Sequence, residues 1–330
     1  MSKSFFHKDY LSIKNTNCLK LIFVAVVVIH HLYQKLSVPQ EGVIADMFYS
    51  LGYLSVSVFF FLTGYGLFAQ YRLKGDSYLK NFFRNRILYL YCICLVLIPV
   101  FCLLNFAFGY SLSLNTFVRS FLFGGTVIIS GWFLQSILLF YIIFYLAFRF
   151  TKTDKYKIPL VFAGLVVYFC ICKLMALPDK WFQSCLPFVL GLIWCKYESK
   201  IEPILKPFSN ACIIATFSLV LFLASLILCR IAEVLYMPIK IFSTLAFVVL
   251  VVTVSTRLSF QKTFLSRLGG YYLEIYIAQG ICINLFHNKN LYIQNDLLFI
   301  LCVLVTLPVC AALLHPLFKL ISKTVKSKKV

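Results

Sequence analysis

Ionisable side chains interrupt the first long apolar run of the chain: Lys20 at its base and the pair His30-His31 near its far end. At 3.6 residues per turn, the step from Lys20 to His31 makes about three helical turns. Both side chains then share one face roughly 16 Å apart, with His30 turned about 80° away. A lysine can fix an anion, and a neutral imidazole can take a proton from a hydroxyl. Holding such groups at membrane depth costs about 3 kcal/mol each, so they usually line a cavity or a substrate path. The structural alternative is that Lys20 snorkels to the headgroups while the histidines rest in the far interface.

A second concentration of charge, Arg72, Lys74, Lys80, Arg84 and Arg86, precedes another apolar run. Guanidinium groups pair with phosphate in bidentate fashion, so this cluster can hold a phosphorylated cosubstrate. Basic loops also serve simply to orient membrane helices against lipid headgroups.

The elements that must position these residues are membrane helices. Hydrophobic residues are 62% of the 330 and charged residues 13%, and apolar stretches long enough to cross about 30 Å of hydrocarbon recur along the whole length. The expected fold is all-α, a polytopic transmembrane helix bundle. A soluble α/β enzyme would show shorter apolar runs, and a membrane barrel would show alternating segments. Spans are predicted at 17–37, 48–70, 87–107, 131–149, 158–175, 183–197, 208–229, 238–256, 268–287 and 295–318. The sixth is short and carries Pro187 and Gly191, and the Gly/Ser-rich stretch 108–130 reads as an outer loop with a re-entrant or interfacial piece.

Ten spans return both termini to one side. The N-terminal tail, the loops 71–86, 149–157, 196–207 and 257–267 and the C-terminal tail carry most of the 31 Lys and Arg, so the positive-inside rule makes both termini cytoplasmic. The net charge of +20 is thereby explained as a topology signal, with anionic lipid rather than nucleic acid as its partner. The 13 cysteines fall mostly inside apolar helices and lack zinc spacing, so they read as small buried hydrophobes and no metal is expected. The first apolar run lacks a small-residue cleavage pattern, and residues 1–330 read as a single integral-membrane domain with no appended soluble domain.

The stretch Asn17-Cys18-Leu19-Lys20-Leu21-Ile22, continuing to His30-His31, resembles the first helix of the acyltransferase type three family of integral-membrane sugar O-acyltransferases. Members there show Arg or Lys, ten intervening residues, then His. Ser55-Val56-Ser57-Val58-Phe59-Phe60-Phe61-Leu62-Thr63-Gly64-Tyr65 is similar to the family's second-helix motif. Phe82-Phe83-Arg84-Asn85-Arg86-Ile87 is similar to the basic lead into its third helix. Gly131-Trp132-Phe133-Leu134 and Leu268-Gly269-Gly270-Tyr271-Tyr272-Leu273-Glu274-Ile275-Tyr276 look like its fourth and penultimate helices. Two departures stand out: Gln279 occupies the position of a common family histidine, and the usual proline after the basic motif is missing between Ile87 and Ile98.

The resemblance implies a membrane O-acyltransferase in the bacterial cytoplasmic membrane, with acetyl-CoA as donor and a surface polysaccharide or lipid-linked glycan as acceptor. It places the donor's phosphates near Arg84, Arg86 and Lys20 and makes His31 the base or, in a covalent variant, the relay that carries the acyl group. Glu274 either orients His31 or holds the sugar, or else packs between helices beside Tyr272 and Tyr276. Gln279 can hydrogen-bond but cannot exchange a proton near neutral pH, so more of the chemistry falls to His31. The competing reading is a carrier or flippase for a lipid-linked sugar or small anion, with Lys20, His31 and Glu274 as its polar path.

Overall fold

The computed structural model describes residues 6–122, 126–231, 235–258 and 263–326. Lys328 and Lys329 of the basic tail and part of the predicted loop 257–267 lie outside them. Among the described residues there are fourteen α-helices and no named strand. The eight long, apolar candidates for membrane crossing are α1 (Ile13–Tyr33), α2 (Val43–Lys74), the continuous run Phe83–Ala107, α6 (Trp132–Phe150), α7 (Asp154–Leu174), α10 (Phe208–Ile231), α11 (Tyr236–Ser255) and α14 (Asp296–Val325). The run Phe83–Ala107 opens as a π-helical turn, Phe83–Leu88, and continues as α4 (Tyr89–Ala107). Shorter pieces complete the chain: α3 (Asp76–Lys80), α5 (Leu114–Phe121), α8 (Leu186–Lys196), α9 (Glu198–Leu205), α12 (Thr263–Gly269) and α13 (Tyr272–Phe286).

Every predicted span has its helix, but the sixth and ninth are shorter than predicted for physical reasons. Pro187 sits in the first turn of α8, where a missing N–H does no harm, and the helix can begin no earlier. The chain before it turns back into the bundle: the Tyr168 hydroxyl donates to the Trp181 carbonyl at 2.7 Å, and the Ser184 hydroxyl to the Tyr53 carbonyl at 2.8 Å. The ninth span is broken into α12 and α13 at Gly269-Gly270. A Cβ on Gly269 would overlap the carbonyl of Asn17, so only glycine lets this turn press against α1. That contact brings Tyr272, at the start of α13, beside Lys20.

Cross-chain contacts define two ends of the bundle. At one, which we term the terminal face, Tyr10 accepts from the indole of Trp194 at 3.0 Å, Arg72 bonds Glu198 at 2.9 Å, and the Arg84 side chain donates to the carbonyl of Val325. At the far face the Asp296 carboxylate accepts from the Ser37 amide at 3.0 and 3.1 Å, and Asn290 donates to the Ala107 carbonyl at 2.8 Å. Both termini therefore share one face. The core between is aromatic, with Phe60, Phe61, Phe133, Phe140, Phe144 and Phe188 buried to 1% exposure or less. Helix α10, by contrast, presents most of its apolar surface outward, as a helix bathed in lipid does.

Candidate functional site

His31 lies at the far end of α1 and meets a loop folded back from the far face. Residues 126–131, between α5 and α6, tuck Val127 and Ile128 into the bundle, within the region where a re-entrant or interfacial piece is expected. Polar side chains satisfy its backbone: Val127 donates to the Ser120 hydroxyl at 2.7 Å, Ile128 to the Thr126 hydroxyl at 3.0 Å, and the buried amide of Gln135 bonds the Ser120 and Leu122 carbonyls at 3.2 and 2.9 Å. The loop ends at Ser130, whose φ of 59° is a left-handed conformation that a non-glycine residue seldom adopts. The tension is held by the Tyr276 hydroxyl, which donates to the Ser130 carbonyl at 3.1 Å. It directs the Ser130 hydroxyl to within 3.4 Å of His31 Nε2.

Three hydrogen bonds set the tautomer of neutral His31. The Phe48 carbonyl can only accept, so His30 Nδ1, 2.8 Å away, carries the proton. His30 Nε2 is then an acceptor and takes a hydrogen bond from Gln34 Nε2 at 3.1 Å. The Gln34 oxygen is thereby turned to His31, where it accepts from Nδ1–H at 3.2 Å. His31 Nε2 is left as an acceptor, facing the Ser130 hydroxyl at 3.4 Å.

Beyond Ser130 opens a cavity of about 450 Å³ lined by Asn105, Thr116, Thr126, Trp132, Lys180 and Trp181 among others. Its aromatic pair, Trp132 and Trp181, has ring centres 6.4 Å apart. Burial lowers the Lys180 ammonium from its ordinary value, and its charge is felt at His31.

Lys20 sits at the other end of α1, its ammonium 5.0 Å from the centre of the Tyr272 ring. Arg86, in the π-helical turn, lies close enough to influence Lys20, Tyr78, Tyr141, Tyr272 and Lys326 electrostatically. Lys326 stands 3.7 Å from the centre of the Tyr89 ring, and burial followed by the Arg86 charge lowers its pKa. Among the described residues none of Lys20, Arg84, Arg86 and Lys326 forms a salt bridge. The cluster is thus unneutralised cationic charge at the end of an apolar bundle, the electrostatics of an anion site. π-Turns of this kind recur at functional sites. Arg84 is exposed, and its side chain turns to Val325.

A column of rings joins the two ends. From Lys20 on Tyr272 the path runs to Phe59 (5.8 Å between ring centres), to Phe133 (5.8 Å) and to Tyr276 (4.9 Å), then through the tyrosine hydroxyl to Ser130 and His31. Glu274 is not on it. Expected to orient His31, to hold the sugar or to pack between helices, it turns toward α14, where its carboxylate meets His315 Nδ1 at 3.0 Å, an interhelix role, and Gln34 with Ser130 takes the place beside His31. Ser130, Gln34, His315 and Lys180 were missed from sequence. Only His315, an ionisable residue inside the apolar run of α14, offered a signal.

These features define a multi-pass membrane protein that holds a cationic cluster toward one face of its bundle and a histidine site toward the other. Residues 13–315 match the acyltransferase type three family, described as an acyltransferase domain, and the chain belongs to that family: it is an integral-membrane acyltransferase. No curated protein and no solved structure shows significant similarity to it.

Proposed function

We propose that the protein moves an acyl group, acetyl above all, from acyl-CoA at the terminal face to a carbohydrate hydroxyl at the far face. The observation that carries this reading is the two-ended geometry of α1: toward one end, cations without a carboxylate partner among the described residues, His31 joined through Ser130 to a cavity of about 450 Å³ at the other, and a stack of packed rings between. Arg86 and Lys20, with Arg84 at the rim, hold the donor's phosphates. The positive-inside rule makes their face cytoplasmic, where acyl-CoA is found. In the far cavity Trp132 and Trp181 offer flat apolar surface to a sugar ring, and Asn105, Thr116, Thr126 and Lys180 offer partners to its hydroxyls. The acceptor is a surface polysaccharide or a lipid-linked glycan.

In the transfer, His31 Nε2 takes the proton of the acceptor hydroxyl as its oxygen bonds to the thioester carbonyl carbon. The carbon–sulfur bond then breaks, and the departing thiolate takes the proton back from the imidazolium. The products are the ester and free CoA. General base catalysis of this kind contributes about 10² to 10⁴ in rate.

The test is radiolabelled acetyl-CoA supplied to the purified protein in lipid nanodiscs with glycan acceptors. Label should appear in the glycan and be lost with His31→Ala. A glycan or anion that crosses the membrane chemically unchanged, with no acetyl-CoA consumed, would establish a carrier instead.

A further inference from the structure

Gln279 is 0% exposed, and neither the nitrogen nor the oxygen of its amide has a hydrogen-bond partner among the described residues. A buried carboxamide left unpaired at both ends is costly, and natural bundles rarely retain one without a use. Its place is informative. Tyr272, Tyr276, Gln279 and Ile283 follow the helical period and share one face of α13. Tyr272 on that face carries Lys20, and Tyr276 carries Ser130. Gln279 therefore sits on the face of α13 that carries the column, one turn beyond Tyr276. The next residue, Gly280, lets the re-entrant loop approach: a Cβ there would lie 2.9 Å from Ile129 Cγ2. The far cavity lies beyond that loop, and its lining does not include Gln279.

We propose that Gln279 is a donor-positioning residue that grips the pantetheine arm of the acyl-CoA. The arm carries two secondary amides, so it can present an N–H to the Gln279 oxygen and a carbonyl to the Gln279 nitrogen, satisfying both ends. A sugar hydroxyl has the same donor-and-acceptor chemistry, but it would approach from the far cavity, on the other side of the loop. The assignment rests on the proposed function. It also gives this position a task that a carboxamide performs without proton exchange.

Gln279→Leu keeps the volume and removes the polarity, and Gln279→Met serves as a second variant of similar length. Steady-state kinetics in nanodiscs with acetyl-CoA and a glycan acceptor should show the donor KM raised about tenfold and the acceptor KM within about twofold of wild type. Thermal unfolding without ligand should show the variants at least as stable as wild type, since a buried unpaired amide is gone. Stabilisation by added acetyl-CoA should shrink accordingly. A donor KM unchanged in either folded variant overturns the assignment and leaves Gln279 a packing residue. A change confined to the acceptor KM overturns it in favour of the sugar. A wild-type protein that neither binds nor consumes acetyl-CoA overturns the proposed function, and this assignment with it.

Discussion

The Phe48 carbonyl and the imidazole of His31 do not touch, yet the first determines which nitrogen of the second holds the proton. The information passes through His30 and Gln34 in bonds of 2.8, 3.1 and 3.2 Å. Each donor-acceptor choice forces the next, because a carbonyl oxygen cannot donate. A backbone group in α2 thus orients the α1 imidazole that we propose as the base, with His30 and Gln34 as the relay.

Gln34→Leu should therefore release the tautomer without emptying the site. The expected result is a fall of about tenfold in kcat with donor KM within about twofold, since one neutral hydrogen bond contributes about 0.5–1.5 kcal/mol. Gln34→Glu, which still accepts from Nδ1–H of His31, should recover most of the loss. Nitrogen NMR of labelled imidazoles reports the tautomer directly.

His31→Ala should lower transfer by about 10² to 10⁴ while insertion and thermal unfolding stay normal. Near-normal product from a well-folded variant would remove His31 from the chemistry.

The two arginines should separate. Arg86 is inset among tyrosines, whereas Arg84 is exposed and committed to the Val325 carbonyl. Arg86→Ala should raise the acetyl-CoA KM at least tenfold, as hydrogen bonds to charged groups contribute about 1.5–3 kcal/mol. Arg84→Ala should raise it about threefold or less. Comparing acetyl-CoA with its 3′-dephospho analogue shows which phosphate each one meets.

Glu274 and His315 form a pair of their own, 3.0 Å apart. Glu274→Gln and His315→Gln should each destabilise the protein, and in the double variant their effects should fall short of additive by about 1 kcal/mol in thermal or denaturant unfolding. The kcat of Glu274→Gln should remain within about threefold of wild type. A loss as deep as that of His31→Ala would return the carboxylate to the reacting centre.

Much of this arrangement was legible in the residues. The spacing of Lys20 and His31 already placed them on one face at opposite ends of a helix, because helical period and rise are invariant. The ten apolar runs and the re-entrant stretch near Ser130 followed from what hydrocarbon permits an unpaired backbone to do. Glu274 could not be assigned in the same way. Which neighbour a helix face meets depends on packing angles that no local pattern encodes, and Glu274 points to α14 rather than α1. Ser130 was hidden for a related reason: its value lies in a left-handed φ imposed by contacts far away in sequence. The short sixth span was the most ambiguous by pattern, since a helix cut short by Pro187 is completed by irregular chain that hydropathy reads poorly.

Helices α2 and α8 meet without side chains between them. A Cβ on Gly64 would overlap the Phe188 carbonyl, and one on Gly191 the Phe61 carbonyl. Backbones in such contact act as a keel: sliding by one residue would drive a side chain into a peptide group. Phe59 and Phe60, rings within and beside the column, belong to the same α2, so the packed rings rest against a wall held by backbone contact. A machine that exposes one site alternately to two sides needs a wall that moves. Two substrates that meet in the middle, as we propose for donor and acceptor, ask no such movement of this wall.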